Sequence, residues 1–137
     1  MRIFDSLQGH LAQLVGRDLQ TLSQGKKFTI DRVIPENERQ VEWLIELSVG
    51  EKGNKDHVYI TDLLRAYTWL VSNHWDSWAT RKELSAYMDT EFGNGKFVSN
   101  QNSSYMMAIL ATFDDVEKKE GRGAEIKFVP KSAMYKD

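Results

Sequence analysis

The chain has 137 residues, 41% hydrophobic and 28% charged, enough apolar material for a buried core and against wholesale disorder. Eighteen basic residues against 20 acidic ones leave a net charge of -2, so no charge excess advertises a nucleic-acid or membrane partner. Cysteine is absent, which excludes disulfides, thiolate metal sites and thiol nucleophiles, and fits a reducing, cytoplasmic setting. No apolar run approaches the roughly 18 residues of a membrane span. The opening Met1-Arg2-Ile3-Phe4-Asp5 turns polar too early for a signal peptide. The length suits one domain.

Ile3, Phe4, Leu7, Leu11, Leu14 and Val15 recur at helical spacing, which predicts an amphipathic helix weakened by Gly9 and ending near Gly16. Gln24-Gly25 signals a turn. Residues 27–33 then alternate polar and apolar, as a half-buried strand does. Pro35-Glu36-Asn37-Glu38 reads as a loop. Val41, Trp43, Ile45 and Leu47 alternate with Glu42, Leu44, Glu46 and Ser48, giving a second strand with one mostly acidic face. Residues 50–56 form a polar turn cluster, and His57-Val58-Tyr59-Ile60 a short third strand of an antiparallel meander.

A helix follows, with Thr61 or Asp62 as N-cap and a stripe of Leu63, Leu64, Tyr67, Leu70 and Val71. Ser72-Asn73-His74 breaks it. The next helix begins near Ala79-Thr80, with Thr80 and Glu83 as a capping box and Leu84, Tyr87 and Met88 on one side. Gly93-Asn94-Gly95 marks a loop. A further helix begins between Ser99 and Asn102, with a stripe of Met106, Ile109, Leu110 and Phe113. Residues 116–119 and 124–129 flank a glycine-containing tip, which predicts a hairpin stopped by Pro130. Residues 131–137 read as a frayed tail.

The expected fold is α+β: an N-terminal helix and small antiparallel sheet over residues 1–60, then a winged-helix-like three-helix unit with a C-terminal hairpin over 61–130. In such a helix-turn-helix unit the third helix is presented to the partner.

Two stretches carry a family resemblance. One runs Leu14-Val15-Gly16-Arg17-Asp18-Leu19-Gln20-Thr21-Leu22-Ser23-Gln24-Gly25-Lys26-Lys27-Phe28-Thr29-Ile30. The other is Asn102-Ser103-Ser104-Tyr105-Met106-Met107-Ala108-Ile109-Leu110-Ala111. Together they resemble a small β-plus-winged-helix module of bacterial proteins linked to DNA restriction and related DNA transactions. The resemblance implies association with nucleic acid and supplies no catalytic residue.

Read from the residues themselves, no enzyme site emerges. The three histidines, His10, His57 and His74, have no ligand spacing, and no hydrolase, zinc-protease or phosphate-loop pattern is present. Asp114-Asp115 reads as a solvated turn and Glu42 with Glu46 as an exposed strand face. Neither a cofactor nor a metal is expected. Gly93 to Lys96 reads as a plain loop, with phosphate contact as its rival.

The sharper signal is the polar opening of the third unit helix. Asn100, Gln101, Asn102, Ser103 and Ser104 crowd one turn where capping needs a single such residue. Amides pair with base edges and hydroxyls reach phosphates. Arg81, Lys82, Lys96, Lys118, Lys119 and Arg122 add cations, with Glu83, Glu117 and Glu120 among them. The expected partner is DNA, most simply duplex, bound without catalysis. The rival is a protein-interaction module, an adaptor or inhibitory subunit of a bacterial defence or phage system, using Trp69, Trp75 and Trp78. Those tryptophans read equally as core packing or as a platform for unpaired bases.

Overall fold

A computed structural model describes residues 3–34, 44–92 and 100–130 of the chain, with the side chains of 3–6, 91–92 and 100–102 outside that description. The loop at 35–38, Val41, Trp43, the 93–95 loop, Lys96, Ser99 and the 131–137 tail all lie outside the described residues.

Helix α1 spans Ile3–Leu14 and buries Leu7, Leu11 and Leu14, the face its spacing predicts. Gly16 adopts φ 83°, a conformation that costs glycine little, and turns the chain into a short strand β1, Asp18–Gln20. Strand β2 (Lys27–Ile34) alternates as expected through Phe28 and Ile30, then shifts register between Ile30 and Arg32. Strand β3 (Leu44–Val49) buries Ile45, Leu47 and Val49 and turns Leu44, Glu46 and Ser48 outward. Strand β4 is Asn54–Tyr59. The order β1-β2-β3-β4 is antiparallel throughout.

The last strand of this sheet differs from the sequence expectation. It starts at Asn54, because Gly50 and Gly53 both take positive φ and close the turn within 50–53. It stops at Tyr59, and Ile60 opens helix α2, Ile60–Asn73. The N-cap is Tyr59, without a side-chain cap, and not Thr61 or Asp62. Ile60 is fully buried at helical spacing from Leu63, Ala66, Tyr67 and Leu70, so packing sets the boundary. Asp62 sits in the first turn, where a carboxylate suits the helix dipole.

His74 closes α2, its N–H donating to the Leu70 carbonyl at 2.8 Å. The chain bends sharply through Asp76, φ 51°, and enters a two-residue strand β5, Ala79–Thr80. Helix α3 (Arg81–Phe92) starts on the expected capping box: the Glu83 carboxylate accepts from the Thr80 N–H at 3.1 Å, and the Thr80 hydroxyl accepts from the Glu83 N–H at 3.1 Å. Helix α4 is Asn100–Leu110. Strands β6 (Val116–Lys119) and β7 (Glu125–Phe128) form the expected hairpin, and β5 adds to the far side of β7 in the order β5-β7-β6.

Helix α4 is the centre of the molecule. Tyr105, Met106, Met107, Ala108, Ile109 and Leu110 are all buried, against the single stripe expected. One side packs on α2 and α3, the other on β1 and β4, with the Tyr105 ring 5.1 Å from Phe28. Of its described side chains only Ser104 escapes burial. Over residues 105–110 the helix is buried on every face and has none to present.

Candidate functional site

The beginning of α3 is fixed by its capping box, which sets Arg81 and Lys82 on the first helical turn. The Ser85 and Ser103 hydroxyls, 2.6 Å apart, draw α3 and α4 together and place Ser104 beside that turn. From the other side comes the hairpin tip. Gly121 (φ 93°) and Gly123 (φ 76°) let the tip curl back, and the Gly121 N–H donates to the Leu22 carbonyl at 2.7 Å. That bond seats the tip on the β1–β2 turn, which is itself held by the Thr21 hydroxyl accepting from the Lys26 N–H at 2.9 Å.

These segments line a half-open cavity of about 190 Å³. Leu22, Met107 and Ala124 supply apolar wall, Ser23, Thr80 and Ser104 supply hydroxyls, and Arg81 and Lys82 supply positive charge. No carboxylate among the described residues lines it. Arg81 and Ser104 are already engaged within the fold. Lys82 and Arg122 are exposed and carry no ion pair among the described residues, and Arg122 adjoins the cavity-lining Gly123. The Thr80 hydroxyl is taken by the Glu83 carboxylate and N–H at 3.1 Å, so Lys82, Arg122 and the Ser23 hydroxyl are what this mouth offers an anion.

The remaining residues named from sequence fall elsewhere. Ser103 is fully buried and serves the contact with Ser85, so its hydroxyl is closed to a ligand. Asn100, Gln101 and Asn102 do occupy the first turn of α4. Lys118 pairs with Glu120 at 3.7 Å and Lys119 with Glu125 at 3.8 Å, and neither lines the cavity. Asp115, expected in a solvated turn, is fully buried, whereas Asp114 is exposed.

The tryptophans have three separate settings. Trp69 stacks on Tyr87 with ring centres 5.4 Å apart, in the seam between α2 and α3. Trp78 lies on the outer face of the small sheet under the Lys119 and Lys127 ammonium groups, 4.3 and 4.7 Å from its ring centre. Trp75 is 56% exposed, with one side against Phe128.

One polar cluster had no signal in the sequence. His10 Nε2 lies 2.7 Å from the Thr112 hydroxyl, across 102 residues, and the Phe113 ring stands edge-on to the imidazole. The Thr112 hydroxyl donates its proton to the Ile109 carbonyl at 2.6 Å. Nε2 must therefore carry the hydrogen and donate to Thr112, which makes this a clamp and not an activated nucleophile. Burial lowers the His10 pKa, and the nearby Asp114 carboxylate partly offsets it.

Among the described residues no group of acidic and histidine side chains is arranged to hold a metal ion. No helix among them is long and apolar enough to cross a membrane. No family model matches the chain, and no curated protein or solved structure matches it either. The resemblance to the restriction-linked module therefore stands on its two motifs alone.

Proposed function

We propose that this chain is a non-catalytic DNA-binding module that grips the phosphates of a duplex at the mouth of the α3 cavity. The observation that carries this reading is the cavity lined by Arg81, Lys82 and Ser23 without a lining carboxylate, flanked by Arg122 on the hairpin tip. The order helix, strand, helix, helix, strand, strand over residues 60–130, with β5 beside β7, supports a winged-helix unit in which β6–β7 is the wing. The two sequence motifs support the same setting, DNA restriction and related transactions, and the absence of cysteine suits the cytoplasm.

Within this reading, Arg81, Lys82 and Arg122 contact phosphates, with Lys118 and Lys119 further along the wing. Asn100, Gln101, Asn102 and Ser104 approach from the start of α4. The burial of Tyr105 to Leu110 limits groove contact to that first turn. Most binding energy then comes from phosphates, and affinity varies little with base sequence. Fluorescence anisotropy of a labelled duplex across a salt series tests this. Binding that weakens linearly with the logarithm of salt concentration is expected, and absence of binding at low salt overturns the reading.

A second reading, a protein-interaction adaptor, is favoured by one observation: Trp75 is the most exposed of the large hydrophobic side chains among the described residues. It requires a salt-insensitive complex that Trp75→Ala abolishes while the fold and DNA affinity persist. A partner complex untouched by Trp75→Ala removes that reading.

A further inference from the structure

We propose that the DNA-contacting surface continues past the wing onto the N-terminal sheet, where Lys26 and Lys52 grip phosphates beside Arg122 and Lys82; this rests on the DNA reading above. These residues come from three turns and a helix start, far apart in sequence, and the backbone brings them to one end of the molecule. The hairpin tip is seated on the β1–β2 turn by the Gly121–Leu22 hydrogen bond at 2.7 Å. Lys26 belongs to that turn, its N–H donating to the Thr21 hydroxyl at 2.9 Å and its carbonyl accepting from the Thr21 N–H at 3.0 Å. The Gly50 N–H donates to the carbonyl of the adjoining Lys27 at 3.0 Å, which sets the β3–β4 turn, with Lys52, beside the β1–β2 turn. Ser23 of the β1–β2 turn lines the cavity mouth together with Lys82. The contacts proposed are made on the surface around that mouth and need nothing to enter it.

Pairing separates these cations from their neighbours. On the same sheet Lys27 is matched by Asp18, Arg32 by Glu46 and Lys55 by Asp31. Lys26 and Lys52 are exposed and carry no ion pair among the described residues, and the same holds for Lys82 and Arg122. Of the nearby carboxylates, Glu120 on the tip is held by Lys118 at 3.7 Å, and Glu51 stands exposed beside Lys52. Positive charge is therefore in excess at this end although the chain as a whole is slightly acidic. Like charges gathered without partners repel one another in the folded state, and a polyanion relieves that repulsion. A lysine ammonium meets a phosphate as a point charge, which suits a backbone running across several turns. The N-terminal sheet then has a part in binding as well as in packing.

The test uses the full chain and one labelled duplex in an anisotropy salt series. Lys26→Ala/Lys52→Ala is compared with Arg17→Ala, which removes an exposed cation, also without an ion pair among the described residues, at the other end of β1. The double variant should bind at least about tenfold more weakly at low salt, with a logarithmic salt slope shallower by about two, roughly one for each lost phosphate contact. Arg17→Ala should leave affinity and slope near wild type. The thermal midpoint of the double variant should not fall, because no ion pair among the described residues is lost. A loss of affinity that comes with a lower midpoint is structural and overturns the assignment. Wild-type binding that the double variant retains, slope unchanged, overturns the extended surface and leaves the DNA reading standing. An equal loss in Arg17→Ala also overturns it, since net charge and not position would then set affinity. Failure of the wild type to bind at low salt overturns the DNA reading and the extended surface with it.

Discussion

At the scale of single residues, two titration windows are written into the fold. Burial lowers the His10 pKa below its ordinary 6.5, so the folded state favours the neutral ring. The stabilisation from this group is complete above pH 6.5 and is lost as pH falls through the depressed folded value. Asp31 and Asp18 are also lowered, from 3.8, chiefly by hydrogen bonds from Ser48 and Thr29 respectively. Their contribution disappears only at more acidic pH, so the two windows separate. Denaturant midpoints at pH 7.5 and 5.5 should show a loss in the wild type that is smaller in His10→Gln. Equal losses in both proteins contradict the clamp. Nothing in the sequence joins His10 to Thr112, because the pairing depends on α1 lying beside the turn after α4.

At the scale of elements, long periodic segments were legible and very short or enclosed ones were not. The apolar spacing of α1, β2 and β3 names the buried Leu7, Leu11, Leu14, Phe28, Ile30, Ile45 and Leu47, whereas Val15 lies past the end of α1 and is exposed, and Thr80 with Glu83 marks the start of α3. Strands β1 and β5 have three and two residues, too few to show any period. Tyr59-Ile60 satisfies strand alternation and helix spacing at once, and only the packing of Ile60 decides between them. Residues 105–110 contain the stripe Met106, Ile109 and Leu110, yet Tyr105, Met107 and Ala108 fill the opposite face. That uninterrupted apolar run is the signal of an enveloped helix, visible in the sequence once both faces are considered. Ile109→Ala should therefore destabilise by about 2–5 kcal/mol, the cost of a core cavity. A denaturation midpoint close to wild type contradicts the central place of α4.

At the scale of the whole molecule, the cavity is a product of assembly. Its walls come from residues 22–23, 80–82, 104, 107 and 123–124, joined through the Gly121–Leu22 hydrogen bond and the Ser85–Ser103 contact. Arg81, Lys82 and Ser104 were recognisable in advance because they are polar residues at helix starts. Leu22 and Ser23 were not, since their role depends on the hairpin tip reaching the β1–β2 turn. A net charge of -2 provides no long-range attraction, so the proposed DNA binding depends on local charge at this mouth. Binding must then rest on few phosphates, and each cation carries a large share of the salt dependence.

That consequence gives the most direct test of DNA gripping by this mouth. Anisotropy salt series on one duplex would compare the wild type with Lys82→Ala/Arg122→Ala, both at exposed positions where the fold should be indifferent. Weaker binding by the double variant is expected, with a logarithmic salt slope shallower by about two, roughly one for each lost phosphate contact. An unchanged affinity and slope would contradict DNA gripping by this mouth.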